Sequence, residues 1–161
     1  KYRREVEYEG HKSAKFLYTT INYPLLRYSD VLLMYAEASN EVDGLTQVAY
    51  DCVKAVRDRA GIKTKDISEY DKESFRELVR NERGRELCFE SLRKYDLIRW
   101  GIYVEEMNNY TKWAADERWT KNAKAQRAAS MGSYIKPMHV VLPIPSIELG
   151  VNDLLVQNPL W

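Results

Sequence analysis

Two helical patterns joined by a short glycine-containing link constrain this chain more than any other feature of its sequence. Apolar residues recur at helical spacing between Val31 and Val42, and Gly44 is typical of a helix C-terminus. A second amphipathic pattern follows Thr46, a candidate N-cap, and ends at Gly61. The short link predicts that the two helices pack antiparallel, in a hairpin close to the roughly 34 residues of a tetratricopeptide-type unit.

More helix is expected after this hairpin. A third helix is predicted to begin between Asp71 and Ser74 and to run to about Glu90, with Ser74 and Glu77 forming a capping box. A short helical segment, Tyr95 to Trp100, should stop at the following glycine. Because a helical hairpin needs stacked neighbours to bury its apolar faces, we also expect packing partners upstream of it.

Four further local predictions concern the ends of the chain and the first helix. Residues Lys1 to Leu26 have the content of extended or irregular structure. Either Ser29 or Asp30 can cap the first helix. Val140 to Leu142 resembles a short strand, and the prolines that follow forbid a helix there. Trp161 is expected to anchor the tail.

Composition excludes several functional classes. The chain has 25 basic and 24 acidic side chains, interspersed, and it lacks the basic stripe of a nucleic-acid binder. No apolar run approaches the roughly 18 residues of a membrane span. Cys52 and Cys88 are predicted to be buried free thiols, and with the isolated His11 and His139 they make no metal site, so neither metal nor cofactor is expected.

Three carboxylates, Glu82, Glu86 and Glu90, recur at intervals of four on one predicted helix face. Two of these carboxylates could serve as the catalytic pair of a glycosidase if they lay about 5–9 Å apart and the pKa of one were raised. The alternative is a structural ion network with three nearby arginines, which would lower carboxyl pKa values instead. Those arginines are Arg83, Arg93 and Arg99.

A cluster of aromatic and amide side chains is the best candidate for a binding site. Tyr and Trp offer an apolar ring face with a polar edge, which suits sugars with C–H groups on one face and hydroxyls at the rim. The candidate ligand-binding residues are Tyr103, Asn109, Tyr110, Trp113 and Trp119. The alternative is that Tyr110 and Trp113 are core residues of an amphipathic helix.

Four ordered motifs carry a resemblance to the SusD/RagB family and cover most of the chain. They are the run NYPLLRYSDVLLMYAEA from Asn22 to Ala38, Val56 to Gly61, Asn81 to Gly101, and the tail from Leu142 to Pro159. The departures are small: Gly84, Ser91 and Leu160 stand where the family usually has arginine, glycine and glycine. Residues 102–138 match no motif and form a variable segment where ligand preference would differ.

The resemblance implies a mainly α fold of antiparallel tetratricopeptide-like hairpins with long irregular loops and a few short strands. Residues 1–161 would be a single domain, the C-terminal portion of a longer protein whose missing part carries a signal peptide and a lipid anchor. Such proteins are not enzymes. They bind glycans or other nutrients at the outer-membrane surface of Bacteroidetes and pass them to a SusC-like TonB-dependent transporter.

Two other functions stay open on the sequence. The hairpins could be a docking scaffold for the transporter with little ligand contact of its own, and a glycoside hydrolase is the third possibility.

The charged residues within the family motifs are interpreted as a partly buried ion network that holds the fold. They are Arg27, Glu37, Glu82, Arg83, Glu86, Asp96 and Arg99.

Overall fold

The computed structural model describes residues 23–114 and 116–161, and most of them are helical. They fall into two compact units, one ending at Glu90 and the other beginning at Ser91, and each is described by itself. The predicted mainly α fold is confirmed, whereas a single domain over 1–161 stays a prediction. The predicted extended segment 1–26 lies almost entirely outside the described residues.

Helix α1 spans Tyr28–Asp43 and begins after Arg27, whose backbone is extended. The predicted caps are wrong: α1 has no side-chain cap, and Ser29 and Asp30 are buried inside its first turn. Gly44 ends the helix with φ of 79°, a left-handed conformation that favours glycine.

Helix α2 spans Gln47–Arg59 and is capped as predicted, because the Thr46 hydroxyl accepts a hydrogen bond from the backbone N–H of Ala49 at 3.2 Å. Gly61, at φ of 73°, closes it. The start of α1 and the end of α2 line one groove, so the two helices are antiparallel, as predicted.

Helix α3 spans Lys72–Glu86. Asp71, and not Ser74, is its N-cap: the Asp71 carboxylate accepts from the Ser74 backbone N–H at 2.8 Å, and the Ser74 hydroxyl accepts from the Asp71 N–H at 3.0 Å. The predicted box of Ser74 with Glu77 is therefore displaced by one turn. The helix also ends before the predicted Glu90.

The first unit packs α2 and α3 against α1. Asn40 donates to the backbone carbonyl of Lys72 at 3.0 Å, near the end of α1, whereas Arg83 donates to Asp30 at 2.8 Å, near its start. Helix α3 therefore runs antiparallel to α1. Eight buried residues fill the space between the helices: Leu33, Ala36, Ala49, Tyr50, Val53, Val56, Phe75 and Val79. A 3₁₀ turn, Ile67–Glu69, leads into α3.

The second unit opens with the predicted short helix. This helix stops, as predicted, at Gly101, which has φ of 74°. Its first four helices are α4 (Arg93–Arg99), α5 (Tyr103–Ala114), α6 (Glu117–Thr120) and α7 (Ala123–Ser133). Helices α5 and α7 pack together so closely that a Cβ on Gly132 would lie 2.6 Å from the carbonyl oxygen of Met107. Glycine is therefore required at this helix contact.

The tail forms a 3₁₀ turn, Pro137–Val140, followed by α8, Ser146–Val151. The predicted strand from Val140 to Leu142 is wrong, since Val140 ends the 3₁₀ turn and the prolines keep the next residues irregular; the described part of the chain contains no strand. Trp161 anchors the tail as expected, with its indole N–H 3.0 Å from the carbonyl oxygen of Met138.

Candidate functional site

Three aromatic rings form a stack at the junction of α5 and α6. Tyr110 and Trp113 lie one turn apart on one face of α5, with ring centroids 5.0 Å apart and planes 20° apart. Trp119, on α6, lies 4.8 Å from Trp113 at 34°. Offset and tilted pairs at these distances are favourable aromatic geometries. We call Tyr110, Trp113 and Trp119 the aromatic stack.

Helix α6 is positioned by its own cap. The Asp116 carboxylate accepts from the Arg118 backbone N–H at 2.9 Å, and the Arg118 guanidinium grips the same carboxylate with both Nε and Nη2 at 2.9 Å. These bonds hold the pKa of the Asp116 carboxyl below its usual range, and the bond from the Arg118 side chain contributes most. The turn that brings Trp119 onto Trp113 is therefore fixed by local charge-assisted hydrogen bonds.

The stack is accessible to solvent. Tyr110 is 37% exposed and Trp113 is 41% exposed, whereas Trp119 is partly buried. The alternative interpretation of Tyr110 and Trp113 as core residues does not fit this exposure. Ring faces and edges that remain open can contact the C–H groups of a sugar while water leaves an apolar surface.

The structure does not bring Tyr103 into the stack. Its side chain is buried, at 8% exposed, and its ring lies 5.7 Å from the ammonium of Lys94. Asn109 is partly buried one residue before Tyr110 and accepts a hydrogen bond from Lys112 at 3.1 Å. The sequence thus pointed to three residues that the structure assembles and two that have other contacts; their roles in binding stay a prediction.

The carboxylates considered for catalysis form ion pairs with arginines. Arg27 donates to Glu86 at 2.9 Å and to Glu90 at 2.8 Å, and Arg59 also binds Glu86, at 2.6 Å. The hydrogen bond to Glu90 is the largest contribution raising the pKa of Arg27 above its usual range. Glu82 is paired with Arg57 at 2.8 Å.

The ion network predicted from the motifs is therefore present, and the arginines that bind Glu86 and Glu90 come from outside α3. Arg83 lies 3.9 Å from Glu37 in addition to its bond with Asp30, and within the second unit Arg99 binds Asp96 at 2.9 Å. The arginines from α2 and from the start of α1 could not be found by helical spacing, because their contacts depend on the tertiary packing.

The two cysteines differ in burial. Cys52 is partly buried, and burial followed by the charge of Asp51 raises the pKa of its thiol. Cys88 is exposed, which corrects the prediction that both are buried. The reason is that α3 ends at Glu86, so Cys88 does not sit on a buried helix face.

Among its described residues, the first unit contains at least two concavities. One, of 520 Å³, is lined by polar residues that lead into α3, and the other, of 340 Å³, is the groove between α1 and α2. Across residues 23–114 and 116–161, no three His, Cys, Asp or Glu side chains are arranged to hold a metal ion. None of the helices in these ranges has the length and apolar character to cross a bilayer.

The helical hairpin with a third helix packed on it defines a tetratricopeptide-like class of protein. Comparison with known proteins gives the family: the sequence profile of the SusD family matches residues 1–161. The chain therefore belongs to the SusD family.

Two relatives agree with this assignment. The chain is 37% identical over 139 residues to a SusD-like protein of Formosa agariphila, covering 85% of this chain and 24% of that protein. It is also similar to the crystal structure of a SusD homolog from Bacteroides thetaiotaomicron, with a TM-score of 0.75, 36% identity and coverage of 89% of this chain and 28% of that one. The chain thus spans about a quarter of the length of these relatives.

Proposed function

We propose that this chain is part of a cell-surface protein that binds glycans or oligosaccharides without cleaving them. It delivers them to a SusC-like TonB-dependent transporter in the outer membrane, where a lipid anchor outside this sequence holds the protein. Membership of the SusD family supports the binding role. The observation that carries the proposal within this chain is the solvent-accessible aromatic stack of Tyr110, Trp113 and Trp119.

The two units would have different tasks in glycan capture. The first unit, with its buried core and ion pairs, is a rigid scaffold. The second unit carries the ligand contacts, because the stack lies within the variable segment 102–138. A sugar ring would lie on an exposed ring face of the stack, with the Asn109 amide and nearby polar groups available for its hydroxyls.

Isothermal titration of the chain against a panel of soluble polysaccharides tests this proposal, and each mixture is then assayed for released sugars. We expect binding without hydrolysis, weakened at least tenfold by Trp113→Ala and by Trp119→Ala. Tyr134→Ala is the matched control, because Tyr134 is a 70% exposed aromatic residue of the same unit outside the stack. Trp119→Tyr keeps a ring and should retain part of the affinity. Release of sugars, or equal effects of the stack and control variants, contradicts the proposal.

A second candidate function is docking to the transporter. Five apolar side chains of the tail are mostly exposed: Leu142, Ile147, Val151, Leu154 and Val156. Contiguous exposed apolar patches larger than a few hundred Å² are typical of contact surfaces, and these five side chains all lie within residues 142–156. If docking is the main task, Ile147→Ser with Leu154→Ser should abolish co-purification with a SusC-like transporter, while Trp113→Ala should leave it unchanged.

A further inference from the structure

Charge is distributed unevenly along this nearly neutral chain. Residues 110–136 contain six Lys or Arg and two Asp or Glu, a net charge of +4, whereas the whole chain has +1. The remaining residues therefore carry a net charge of −3. The positive segment is the one that contains the aromatic stack and the helices α6 and α7.

Basic side chains lie within the stack and after it in the chain, whereas the exposed Glu105 and Glu106 precede it. Lys112 directly precedes Trp113, and its ammonium binds the neutral amide of Asn109 instead of a carboxylate. The carbonyl oxygen of Trp119 accepts hydrogen bonds from the Asn122 backbone N–H at 2.9 Å and from the Gln126 side chain at 3.1 Å. The first turn of α7 is thereby tied to Trp119.

Three exposed cations follow Trp119 within eight positions of the chain. Lys121 lies two residues after Trp119, and Lys124 and Arg127 lie one turn apart on the solvent side of α7. Among the side chains that the structure describes, no carboxylate pairs with Lys121, Lys124 or Arg127. Arg118 differs, since it is already neutralised by Asp116.

We infer that the ligand bound at the aromatic stack is an anionic oligosaccharide, one whose sugars carry carboxylate or sulfate groups. This inference rests on the proposed function. A neutral glycan uses ring faces and hydrogen bonds, to which Lys and Arg can contribute as N–H donors, but it gains no Coulomb attraction from their charge. An anionic glycan gains attraction from every nearby cation, and a surface of one sign also raises the rate of encounter.

The apolar rings and the exposed cations fit the two parts of an anionic sugar. The stack offers an apolar surface for the sugar ring, while the ammonium and guanidinium groups of α7 extend into solvent, where they can reach an acidic substituent of the same or the next sugar. Arg favours the planar carboxylate or the sulfate through paired N–H donors, and Lys acts as a point charge.

The test uses polysaccharides that differ only in charge. Polygalacturonate is compared with its fully methyl-esterified form for the carboxylate, and dextran sulfate with dextran for the sulfate, each titrated into the chain at about 50 and 500 mM salt. We expect at least one anionic polymer to bind at least tenfold more tightly than its neutral counterpart, with affinity falling at high salt. The polymer that responds identifies which acidic group is read.

Two sets of variants separate the site from general attraction to polyanions. Lys121→Gln, Lys124→Gln and Arg127→Gln together should lower the affinity for the anionic polymer at least tenfold, and Trp119→Ala should do the same. The control combines Lys54→Gln, Lys63→Gln and Lys65→Gln, which removes the same charge from the first unit and should have little effect.

Several outcomes overturn the inference, and they differ in whether the proposed function also fails. Equal, Trp119-dependent binding of charged and neutral polymers overturns the anionic specificity while the proposed function holds. Salt-sensitive binding that survives Trp119→Ala, or equal binding to anionic lipid vesicles, indicates a general polyanion or membrane surface instead. No binding to any polymer, charged or neutral, contradicts the proposed function as well.

Discussion

The side-chain amide of Gln157 pairs with the backbone of Ile144 in the manner of a neighbouring strand. Its Oε1 accepts from the Ile144 N–H at 2.8 Å, and its Nε2 donates to the Ile144 carbonyl at 3.0 Å. Asn158 continues the pattern by donating to the carbonyl of Leu142 at 2.6 Å. The tail is therefore fastened to the proline-containing segment by side chains, where prolines prevent ordinary backbone pairing.

Gln157→Ala should loosen this segment without unfolding either unit. It leaves the N–H and C=O of the partly buried Ile144 without partners, and each lost bond of this kind costs about 1–3 kcal/mol. We expect hydrogen exchange of the Ile144 amide to accelerate at least tenfold, measured by NMR. Gln157→Glu is the control, because it keeps the acceptor and should preserve most of the protection of that amide; equal exchange in all three proteins contradicts the role of the pairing.

Glu86 should be a major contributor to the stability of the first unit. Its carboxylate is nearly buried and binds both Arg27 and Arg59. Glu86→Ala removes the carboxylate partner of Arg59, whereas Arg27 keeps its pair with Glu90. We expect a loss of about 1–3 kcal/mol in the free energy of unfolding, measured by denaturant titration. Glu73→Ala is the matched control, since Glu73 is 73% exposed and its ion pair with Arg76, at 3.7 Å, is a weak surface pair. An unchanged midpoint for Glu86→Ala would refute the structural role.

Asp30 and Arg83 offer a test of how a buried ion pair stabilises this fold. Both side chains are almost fully buried, at 7% and 4% exposed, and they lie 2.8 Å apart. We expect Asp30→Ala to destabilise the protein by about 3–5 kcal/mol because it leaves a buried charge without its main partner. Adding Arg83→Leu should restore part of that loss. A double variant less stable than Asp30→Ala alone would show that the arginine has other essential contacts.

Asp71 should make the N-terminus of α3 sensitive to acid. Hydrogen bonds from Ser74, the side-chain bond first and the backbone bond second, lower the pKa of the Asp71 carboxyl in the folded state. A carboxyl with a depressed folded pKa stabilises the fold above its unfolded pKa of about 3.9, and that contribution is lost as the pH falls through the folded pKa.

The variants of Asp71 separate capping from charge. Asp71→Ala should lower the thermal midpoint by a few degrees at neutral pH and reduce the difference between neutral pH and pH about 2. Asp71→Asn keeps a capping oxygen but cannot titrate, so it should stay nearer to the parent at neutral pH with a weaker acid response. Scanning calorimetry across this pH range gives both quantities, and identical pH profiles for all three proteins would exclude the proposed linkage.

The parts of the fold that depend on neighbouring residues were predictable from the sequence. Gly44 and Thr46 mark the end of one helix and the start of the next through local conformational preference and capping, and both predictions are confirmed. Gly101 behaves in the same way. The cap of α3 was misplaced because Asp71 and Ser74 are both good capping residues, and only the backbone path selects between them.

The features that depend on distant contacts were not predictable. The end of α3 at Glu86 frees Glu90 to approach Arg27 from outside the helix, 63 positions away in sequence, and Phe89 and Ser91 take positive φ values in the turn. Helical spacing continues through this stretch and gives no sign of the break. For the site, spacing identified Tyr110 and Trp113, whereas the approach of Trp119 depends on the turn capped by Asp116.

The contact between Trp113 and Trp119 also gives the second unit an optical signal of its own. Two indole rings whose centroids are 4.8 Å apart are close enough for their electronic transitions to couple, which produces paired bands of opposite sign in the circular dichroism spectrum. Any molecule that tilts or separates the rings changes the amplitude of those bands. The protein can therefore report occupancy of its aromatic stack without a label, and the signal should vanish when either tryptophan is replaced.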